Sequence, residues 1–407
     1  MTGASTDRSI VAARWATLVL AAMPVLGMRP MVAVIAGWLT VVAWHFVRHP
    51  RRPSPSQIRW TLLFGAGFLL MLLDLTRATE LAVAWAIVER GAALLLLPVG
   101  FLALGAPVDL RTRQQAIDVF SVSALLLGLF GYGHLIWSGP SPQFADHGLD
   151  AYALRNSFAL YTGVHGTYAA YFLYLGALFQ AVSILDHREG RGWRSVLFTL
   201  LVIMGAVLAA RMPTMAFLAA LVAMWWTGLP AARALMATVV ALAVMTALTM
   251  FVPSLRERAA QVWTSEWEVP TTRPINSVNV RIGITYCAVG LLEEHPIAGM
   301  GLASVQPAMD ACQQGLSPVY ADEQYDTHCQ PLHWWLAFGL PGLAAFLALF
   351  LLPLRLAWRE RDTTYVVFLV FLLLCSLTEN LLARQWGVVL FAGMNALLFA
   401  TRRQRTG

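Results

Sequence analysis

The sequence has no lysine, few charged residues and few long polar stretches. Only 12% of its 407 residues are charged, whereas 58% are hydrophobic. A soluble domain carries about 25% charged residues, so this chain has too little polar surface to cover itself in water. Its apolar runs do not alternate with polar residues, as the strands of membrane barrels do. The composition therefore predicts an all-α polytopic membrane protein.

The apolar runs are as long as spanning helices, and we predict about 12 transmembrane helices from them. They lie near residues 11–28, 31–47, 58–76, 81–105, 116–137, 158–185, 195–210, 213–228, 233–252, 331–354, 363–383 and 386–401. The first run lacks a small-residue cleavage site and continues into the second, so we do not interpret it as a cleaved signal. No repeat relates one half of the chain to the other, which disfavours a secondary transporter.

The basic residues indicate the orientation, because all 28 of them are arginine. With the N-terminus in the cytoplasm, 18 of the 28 fall in cytoplasmic segments. The opposite orientation leaves the basic loops RHPRRPSPSQIR and DHREGRGWR outside, against the positive-inside rule. Both termini are therefore predicted to be cytoplasmic. The ten remaining arginines are Arg29, Arg77, Arg90, Arg155, Arg211, Arg256, Arg258, Arg273, Arg281 and Arg384.

The longest polar stretch covers residues 253–330, between the ninth and tenth spans, and divides the chain into parts 1–252, 253–330 and 331–407. We predict a helix in PSLRERAAQVW, with Ser254 as its N-cap. A second helix is predicted in SVNVRIGITYCAVGLLEE, and a shorter one near 303–314. One face of the second helix is apolar, since hydrophobic residues recur there at helical spacing: Val280, Ile284, Cys287 and Leu291. So long a loop indicates a helical periplasmic layer that covers a site at the membrane surface.

Three of the four cysteines fall in or next to this layer. Cys312 and Cys329 are 17 residues apart and could form a disulfide in an oxidising compartment. The alternative is free, buried cysteines that act as small hydrophobic residues.

The stretch DEQYDTHCQPLHWWLAFGLPG contains residue types that are typical of a metal site. His328 and His333 are five residues apart, and Cys312 stands alone upstream, which does not match the paired ligands of structural zinc. Asp322, Glu323 and Asp326 could hold magnesium or manganese on a pyrophosphate, but no second acidic pair completes such a site. We therefore prefer a solvated acidic loop and predict neither a metal nor a cofactor.

Catalysis is the other interpretation of this stretch. A neutral histidine at the membrane surface could take a proton from a sugar hydroxyl. A lipid pyrophosphate would be a good leaving group, and the planar guanidinium fork of arginine matches phosphate oxygens. Arg211 and Arg281 are candidates for that role, and Arg155 is a further possible phosphate contact. The alternative for each arginine is a surface group that anchors lipid headgroups. No basic run is interleaved with exposed aromatic residues, so no nucleic acid is expected as a partner.

The order and spacing of these residues resemble the O-antigen ligase family, which is related to the O-antigen polymerases and protein O-oligosaccharyltransferases. Arg211 and Arg281 are 70 residues apart, HPIAGMG starts at His295, and His328 precedes Gly339 by eleven residues. The resemblance covers roughly residues 205–345. The asparagine that follows the histidine in that family is Cys329 here, and the serine often found before the first arginine is Ala210.

The resemblance implies a membrane-embedded glycosyltransferase of the lipid-donor type in the bacterial inner membrane, with its active site facing the periplasm. It would act as a metal-independent, inverting monomer and transfer a glycan from undecaprenyl pyrophosphate to lipid A–core oligosaccharide. A polymerase that uses the same donor is the alternative, and a transporter is a weaker one. His328, Arg281 and Arg211 would be catalytic, with the two arginines also binding substrate. Further candidate substrate-binding residues are Arg155, Arg384, Glu89 and Arg90; Asp74, Arg77 and Glu379 could also line the cavity.

Overall fold

A computed structural model describes residues 7–147, 151–186, 190–208, 210–251, 268–270, 278–320 and 324–402. Every regular element in these ranges is a helix, which confirms the predicted all-α class for them. The α-helices are α1 (Arg8–Ala21), α2 (Met23–Leu26), α3 (Met28–Arg48), α4 (Pro55–Phe64), α5 (Ala66–Asp74), α6 (Leu81–Gly91), α7 (Ala93–Pro98), α8 (Leu110–Ser138), α9 (Ala151–Thr162), α10 (Gly166–Asp186), α11 (Arg191–Val207), α12 (Arg211–Gly228), α13 (Ala231–Phe251), α14 (Asn279–Glu294), α15 (Leu302–Leu316), α16 (Gln330–Phe338), α17 (Leu340–Glu360), α18 (Thr363–Ser376) and α19 (Gln385–Ala400). Four 3-10 helices (Leu75–Arg77, Pro142–His147, Pro318–Tyr320 and Leu381–Ala383) and a π-helical turn, Val99–Ala103, join them.

Several of these helices are long and apolar enough to cross a membrane. In the described ranges five pass this test: Met28–Arg48, Leu81–Ala103, Leu110–Ser138, Gly166–Asp186 and Leu340–Glu360. The pair Pro55–Phe64 and Ala66–Arg77 passes as a sixth, bent by 58°. The chain is thus a multi-pass membrane protein. The number twelve and the cytoplasmic position of both termini stay predictions.

Two of the predicted spans, 158–185 and 331–354, are interrupted within the fold. Gly163 (φ +67°) ends α9 before α10 begins, and Gly339 (φ +69°) separates α16 from α17. Glycine adopts this left-handed conformation without the penalty that a Cβ imposes. Because apolar residues flank both breaks, hydropathy alone predicts an unbroken helix at each.

Helix α10 forms the core of the bundle and packs against α8, α11, α12 and α18. Its small residues allow this close approach. At Gly176, for example, the backbone carbonyl accepts a hydrogen bond of 3.2 Å from the hydroxyl of Ser121 on α8. Nearly the whole of α10 from Gly166 to Ser183 is buried. A helix buried on every side holds its side chains in fixed positions, and the N-terminal end of α10 reaches the candidate site.

One buried and one partly buried ion pair fix the opposite end of the bundle. Arg113 on α8 donates to Asp362 beside α18 at 2.7 Å. Arg194 on α11 donates to both carboxylate oxygens of Asp118, at 2.7 and 2.9 Å. Charges at such depth are costly unless they are paired. The pairs therefore fix the packing of the helices on which the candidate site is built.

The two glycine motifs, HPIAGMG and FGLPG, bind one another through their backbones. The N–H groups of Met300 and Gly301 donate to the carbonyls of Leu336 and Ala337, at 2.8 and 3.0 Å. The N–H of Leu340 donates back to the carbonyl of Ile297 at 3.0 Å. A Cβ on Gly339 would lie 1.9 Å from that carbonyl oxygen. These hydrogen bonds form what we call the glycine joint (residues 297–301 with 336–340), which fastens the segment before α15 to the break between α16 and α17.

We expect Gly339→Ala to lower the free energy of unfolding by more than about 2 kcal/mol, because the added methyl meets backbone that cannot move aside. Thermal unfolding of the purified protein in detergent measures the effect. Gly163→Ala is the matched control, since its φ is also positive (+67°) but no atom lies within 4 Å of the new Cβ. That variant carries only the conformational penalty of about 1–2 kcal/mol. Equal losses of stability in the two variants would contradict the role given to the glycine joint.

Candidate active site

His328 lies in a short loop between the 3-10 helix Pro318–Tyr320 and α16, with its backbone in the left-handed region (φ 44°). Few residues other than glycine adopt this conformation, although asparagine, aspartate and histidine do so more often than most. The backbone N–H of His328 donates to Asp326 Oδ1 at 2.9 Å, which holds the turn. Such a conformation persists only where its surroundings enforce it, and it fixes where the imidazole points.

A distant asparagine holds this loop in place. Asn380 is completely buried, and its Oδ1 accepts hydrogen bonds from the Thr327 hydroxyl at 3.0 Å and the Cys329 N–H at 3.1 Å. Gln330 Oε1 accepts from the N–H of Leu382 at 2.6 Å. The residues on both sides of His328 are therefore bound to the segment 379–384. Asn380 was not among the predicted site residues, although an asparagine within an apolar run is itself a signal, because such groups are costly at membrane depth.

This anchoring places three charged groups around the imidazole. Nδ1 of His328 lies 3.4 Å from Asp326 Oδ1 and 3.9 Å from Glu379 Oε2. Nη2 of Arg384 lies 3.1 Å from Asp326 Oδ2. Of the predicted substrate-binding residues, Arg384 is therefore brought to the histidine. Glu379, which was expected only to line the cavity, becomes a direct neighbour of the imidazole.

These charges change the protonation of the site. Burial lowers the pKa of His328, but the carboxylates of Glu379 and Asp326 outweigh it and hold this pKa above its ordinary value of 6.5. Burial raises the pKa of Asp326, but His328 and Arg384 outweigh it and hold this pKa below its ordinary value. Two carboxylates close to Nδ1 favour a proton on that nitrogen, which leaves Nε2 with its lone pair free to accept one.

Arg281 extends from α14, as the sequence predicted. The buried face of that helix contains Val280, Ile284 and Cys287, whereas the Arg281 side chain is exposed. Its charge opposes protonation of His328, so the guanidinium is within electrostatic range of the imidazole. Arg281 makes no ion pair or hydrogen bond with any residue in the described ranges. Its donors are thus available to a ligand beside His328.

Arg155 and Arg211 lie on the two helices next to the start of α10. The side chain of Arg155 covers Gly166, the first residue of α10. Arg211 begins α12, where Thr214 hydrogen-bonds to the Tyr174 hydroxyl at 2.9 Å. Tyr174 is about 9 Å along α10 from Tyr168, at 1.5 Å of rise per residue. Arg155 is also within electrostatic range of His165, as are His328 and Arg384. Both arginines therefore border the same end of α10.

Glu89 and Arg90 make no hydrogen bond or ion pair with this cluster among the described residues. Both are exposed on α6, and Arg90 Nε donates to the carbonyl of Ala86 in its own helix at 3.0 Å. Their assignment to substrate binding stays a prediction. The other pair expected to line the cavity fastens the chain instead. Asp74 accepts hydrogen bonds from the N–H of Leu302 at 2.6 Å and from Arg77, while Arg77 donates to the carbonyl of Ala298 at 2.8 Å.

The predicted pairing of Cys312 with Cys329 is wrong. Cys312 on α15 forms a disulfide with Cys287 on the buried face of α14, with their Cα atoms 5.8 Å apart. Cys329 is free, and its backbone N–H donates to Asn380 Oδ1 just before the start of α16. Burial raises the pKa of the Cys329 thiol. The disulfide therefore joins the helix that carries Arg281 to the helix that Asp74 and the glycine joint hold.

Within the described ranges, no group of three or more His, Cys, Asp or Glu residues is arranged to hold a metal ion. Asp322 and Glu323, which we weighed as metal ligands, lie outside these ranges, as does the predicted helix PSLRERAAQVW. The predicted helices around 279–294 and 303–314 are confirmed as α14 and α15.

Comparison with known proteins tests the resemblance. Residues 196–347 match the model of the family described as O-antigen ligase (Wzy_C). The matched segment includes Arg211, Arg281, His328 and the glycine joint, but not Glu379, Asn380 or Arg384. None of the curated proteins compared with the chain matches it. The match confirms the predicted resemblance: residues 196–347 are similar to the O-antigen ligase family.

Proposed function

We propose that this protein transfers a glycan from undecaprenyl pyrophosphate to lipid A–core oligosaccharide, at the periplasmic face of the inner membrane. One observation carries the proposal: His328, flanked by Asp326 and Glu379 and within range of Arg281, lies inside the segment that matches the O-antigen ligase family. That match supports an enzyme of the ligase or polymerase type. The specific donor, acceptor and membrane face belong to the proposal.

The reaction uses the groups around the imidazole as follows. Nε2 of His328 takes the proton of the acceptor hydroxyl, while Asp326 and Glu379 stabilise the imidazolium that forms. The acceptor oxygen attacks the anomeric carbon, and the bond from that carbon to the pyrophosphate oxygen breaks with inversion. The electron pair leaves on the pyrophosphate, whose charge Arg281 and Arg211 stabilise. Arg155 and Arg384 contribute further positive charge at the site.

The division of the chain into three parts fits this mechanism. Residues 253–330 would supply His328 and Arg281, and residues 1–252 would supply Arg211 and Arg155. Residues 331–407 would supply Arg384 and the carboxylate of Glu379, so the catalytic groups come from all three parts.

Reconstitution tests the proposal. The protein is placed in liposomes with a purified undecaprenyl-pyrophosphate-linked glycan and rough lipopolysaccharide, and the products are separated by gel electrophoresis and mass spectrometry. Transfer of the glycan to the lipopolysaccharide core supports the ligase. Growth of the glycan on its carrier would identify a polymerase instead. If neither product formed, the enzymatic proposal would be overturned.

We expect the pH dependence of kcat/KM to depend on Glu379. The reaction needs neutral His328, so activity should rise with pH through a midpoint above 6.5, the ordinary histidine value. Glu379→Gln removes a carboxylate that raises this pKa, so the midpoint should move to lower pH. Initial rates between pH 5 and pH 9 measure both profiles. Glu294→Gln, an exposed carboxylate at the end of α14, is the control and should leave the midpoint unchanged. An unshifted midpoint in Glu379→Gln would contradict the proposed coupling.

A further inference from the structure

A row of aromatic rings lies along the N-terminal half of α10, next to the candidate site. His165, Tyr168, Tyr171 and Tyr174 recur at every third residue. The ring centroids of His165 and Tyr168 are 6.5 Å apart, and those of Tyr168 and Tyr171 are 5.3 Å apart. Residues three apart on a helix lie on neighbouring turns of one face. The row therefore reaches from the start of α10 towards the first turn of α12, where Arg211 lies.

The hydroxyl of Tyr168 differs from those of several other tyrosines in the bundle. Tyr168 is 4% exposed, and its hydroxyl has no hydrogen-bond partner among the described residues. By contrast, the hydroxyls of the partly buried Tyr132 and the buried Tyr365 bond to the Met204 carbonyl and to Asn395, both at 2.6 Å. Buried tyrosine hydroxyls usually find a partner, because burying a polar group without one is unfavourable. The unpartnered hydroxyl of Tyr168 therefore points to a ligand that supplies the missing bond.

The position of Tyr168 identifies which ligand it faces. The charged groups of Glu379, Arg384 and Asp326 act electrostatically on Tyr168, and these are the groups that surround His328. One turn further along α10, the ring of Phe172 packs against Trp386 at 5.6 Å, two residues after Arg384. Tyr168 therefore lies at the same level as the His328 loop.

A second buried polar group in the same place also lacks a partner. Nδ2 of Asn380 has no acceptor among the described residues, although the side chain is completely buried. Its orientation is fixed, since Oδ1 must accept the N–H of Cys329 and Nδ2 therefore has to be the donor. Two unsatisfied groups thus lie near the carboxylate of Glu379, as expected for a site that binds a polar ligand with several oxygens.

We propose that Tyr168 is an acceptor-binding residue, whose hydroxyl hydrogen-bonds to the acceptor sugar while His328 engages the hydroxyl that reacts. The inference rests on the proposed function. A neutral, hydroxyl-rich ligand suits this place better than pyrophosphate does, because the carboxylates of Glu379 and Asp326 repel an anion and accept from sugar hydroxyls. The charge of Arg281 reaches Tyr171, the next ring of the row, and we therefore place the donor pyrophosphate on that side of Tyr168.

The test removes the hydroxyl and keeps the ring. In the reconstituted reaction with rough lipopolysaccharide, Tyr168→Phe should raise KM for the acceptor by about three- to tenfold, the effect of one neutral hydrogen bond. The KM for the lipid-linked donor should stay unchanged. Binding of rough lipopolysaccharide without donor, measured in nanodiscs, should weaken by the same factor. The melting temperature should not fall, because no bond within the protein is lost.

Tyr132→Phe is the matched control. It removes a partly buried hydroxyl that does have a partner, so it should lower the melting temperature and leave the acceptor KM unchanged. An unchanged acceptor KM in Tyr168→Phe would overturn the inference, as would a raised donor KM or a lowered melting temperature.

The same assays distinguish the inference from the proposed function. If the wild-type protein ligates glycan and Tyr168→Phe has the same acceptor KM, the inference fails and the proposed function stands. If the wild-type protein transfers nothing to rough lipopolysaccharide, the proposed function fails and the inference fails with it.

Discussion

Replacing His328 by asparagine is expected to lower kcat for glycan transfer by about 10²–10⁴-fold, the contribution typical of a positioned general base. Asparagine is chosen because it tolerates the left-handed backbone that His328 adopts. The turn and the hydrogen bond from the backbone N–H to Asp326 should therefore persist. An amide can donate and accept hydrogen bonds but cannot take up the acceptor proton, so the variant separates proton transfer from orientation.

The matched control is His295→Asn. His295 belongs to the same segment of the chain and its side chain is exposed, so the variant should keep wild-type rates. Single-turnover assays in liposomes, with donor and acceptor both saturating, compare the two variants. If His328→Asn retained more than about a tenth of the wild-type kcat, the imidazole would act only through orientation, because loss of a general base costs more than that. Thermal unfolding should give similar melting temperatures for both variants.

Arg281→Gln is expected to lower kcat by about 10²–10³-fold, the usual effect of removing one group that stabilises charge in the transition state. Arg281 makes no ion pair within the described ranges, so its removal should not destabilise the fold. Arg281→Lys should recover part of the rate, since it restores the charge but not the planar fork that binds two phosphate oxygens. Arg29→Gln, at another exposed arginine, should keep wild-type activity. Rates of glycan transfer with saturating donor compare the three variants.

Two further observations would distinguish a phosphate-binding role from a general electrostatic one. Arg281→Gln should bind undecaprenyl pyrophosphate more weakly than the wild-type protein does, and added salt should narrow that difference. If the lysine variant matched wild-type rates, charge alone would suffice and the bidentate contact would be refuted.

The sequence predicted the parts of this protein that depend on local pattern. The apolar spacing of Val280, Ile284 and Cys287 predicted α14 and its buried face, and the apolar runs predicted a helical membrane protein. The spacing of Arg211, Arg281 and His328 predicted the match to the O-antigen ligase family. Each of these signals lies within one helix or in the order of short motifs, which is information that a single chain contains.

The features that join distant residues could not be predicted in this way. Asn380 lies 51 residues from Cys329, and Asp74 lies 228 residues from Leu302, so no spacing rule connects either pair. With Cys287, Cys312 and Cys329 all near the same layer, loop length did not decide which pair forms the disulfide. Tyr168 was counted within an apolar span, because hydropathy records its ring and not whether its hydroxyl has a partner.

The residues that hold His328 in place lie outside the segment that matches the O-antigen ligase family. Residues 196–347 contain the histidine and both arginines that we propose as catalytic, whereas the amide that fixes the histidine and the carboxylate beside it come from 379–384. The first turns of α10 also lie outside the matched segment. Residues 196–347 should therefore not be active when transferred alone into another helical bundle. They would supply His328 and the two arginines but not the residues that position His328.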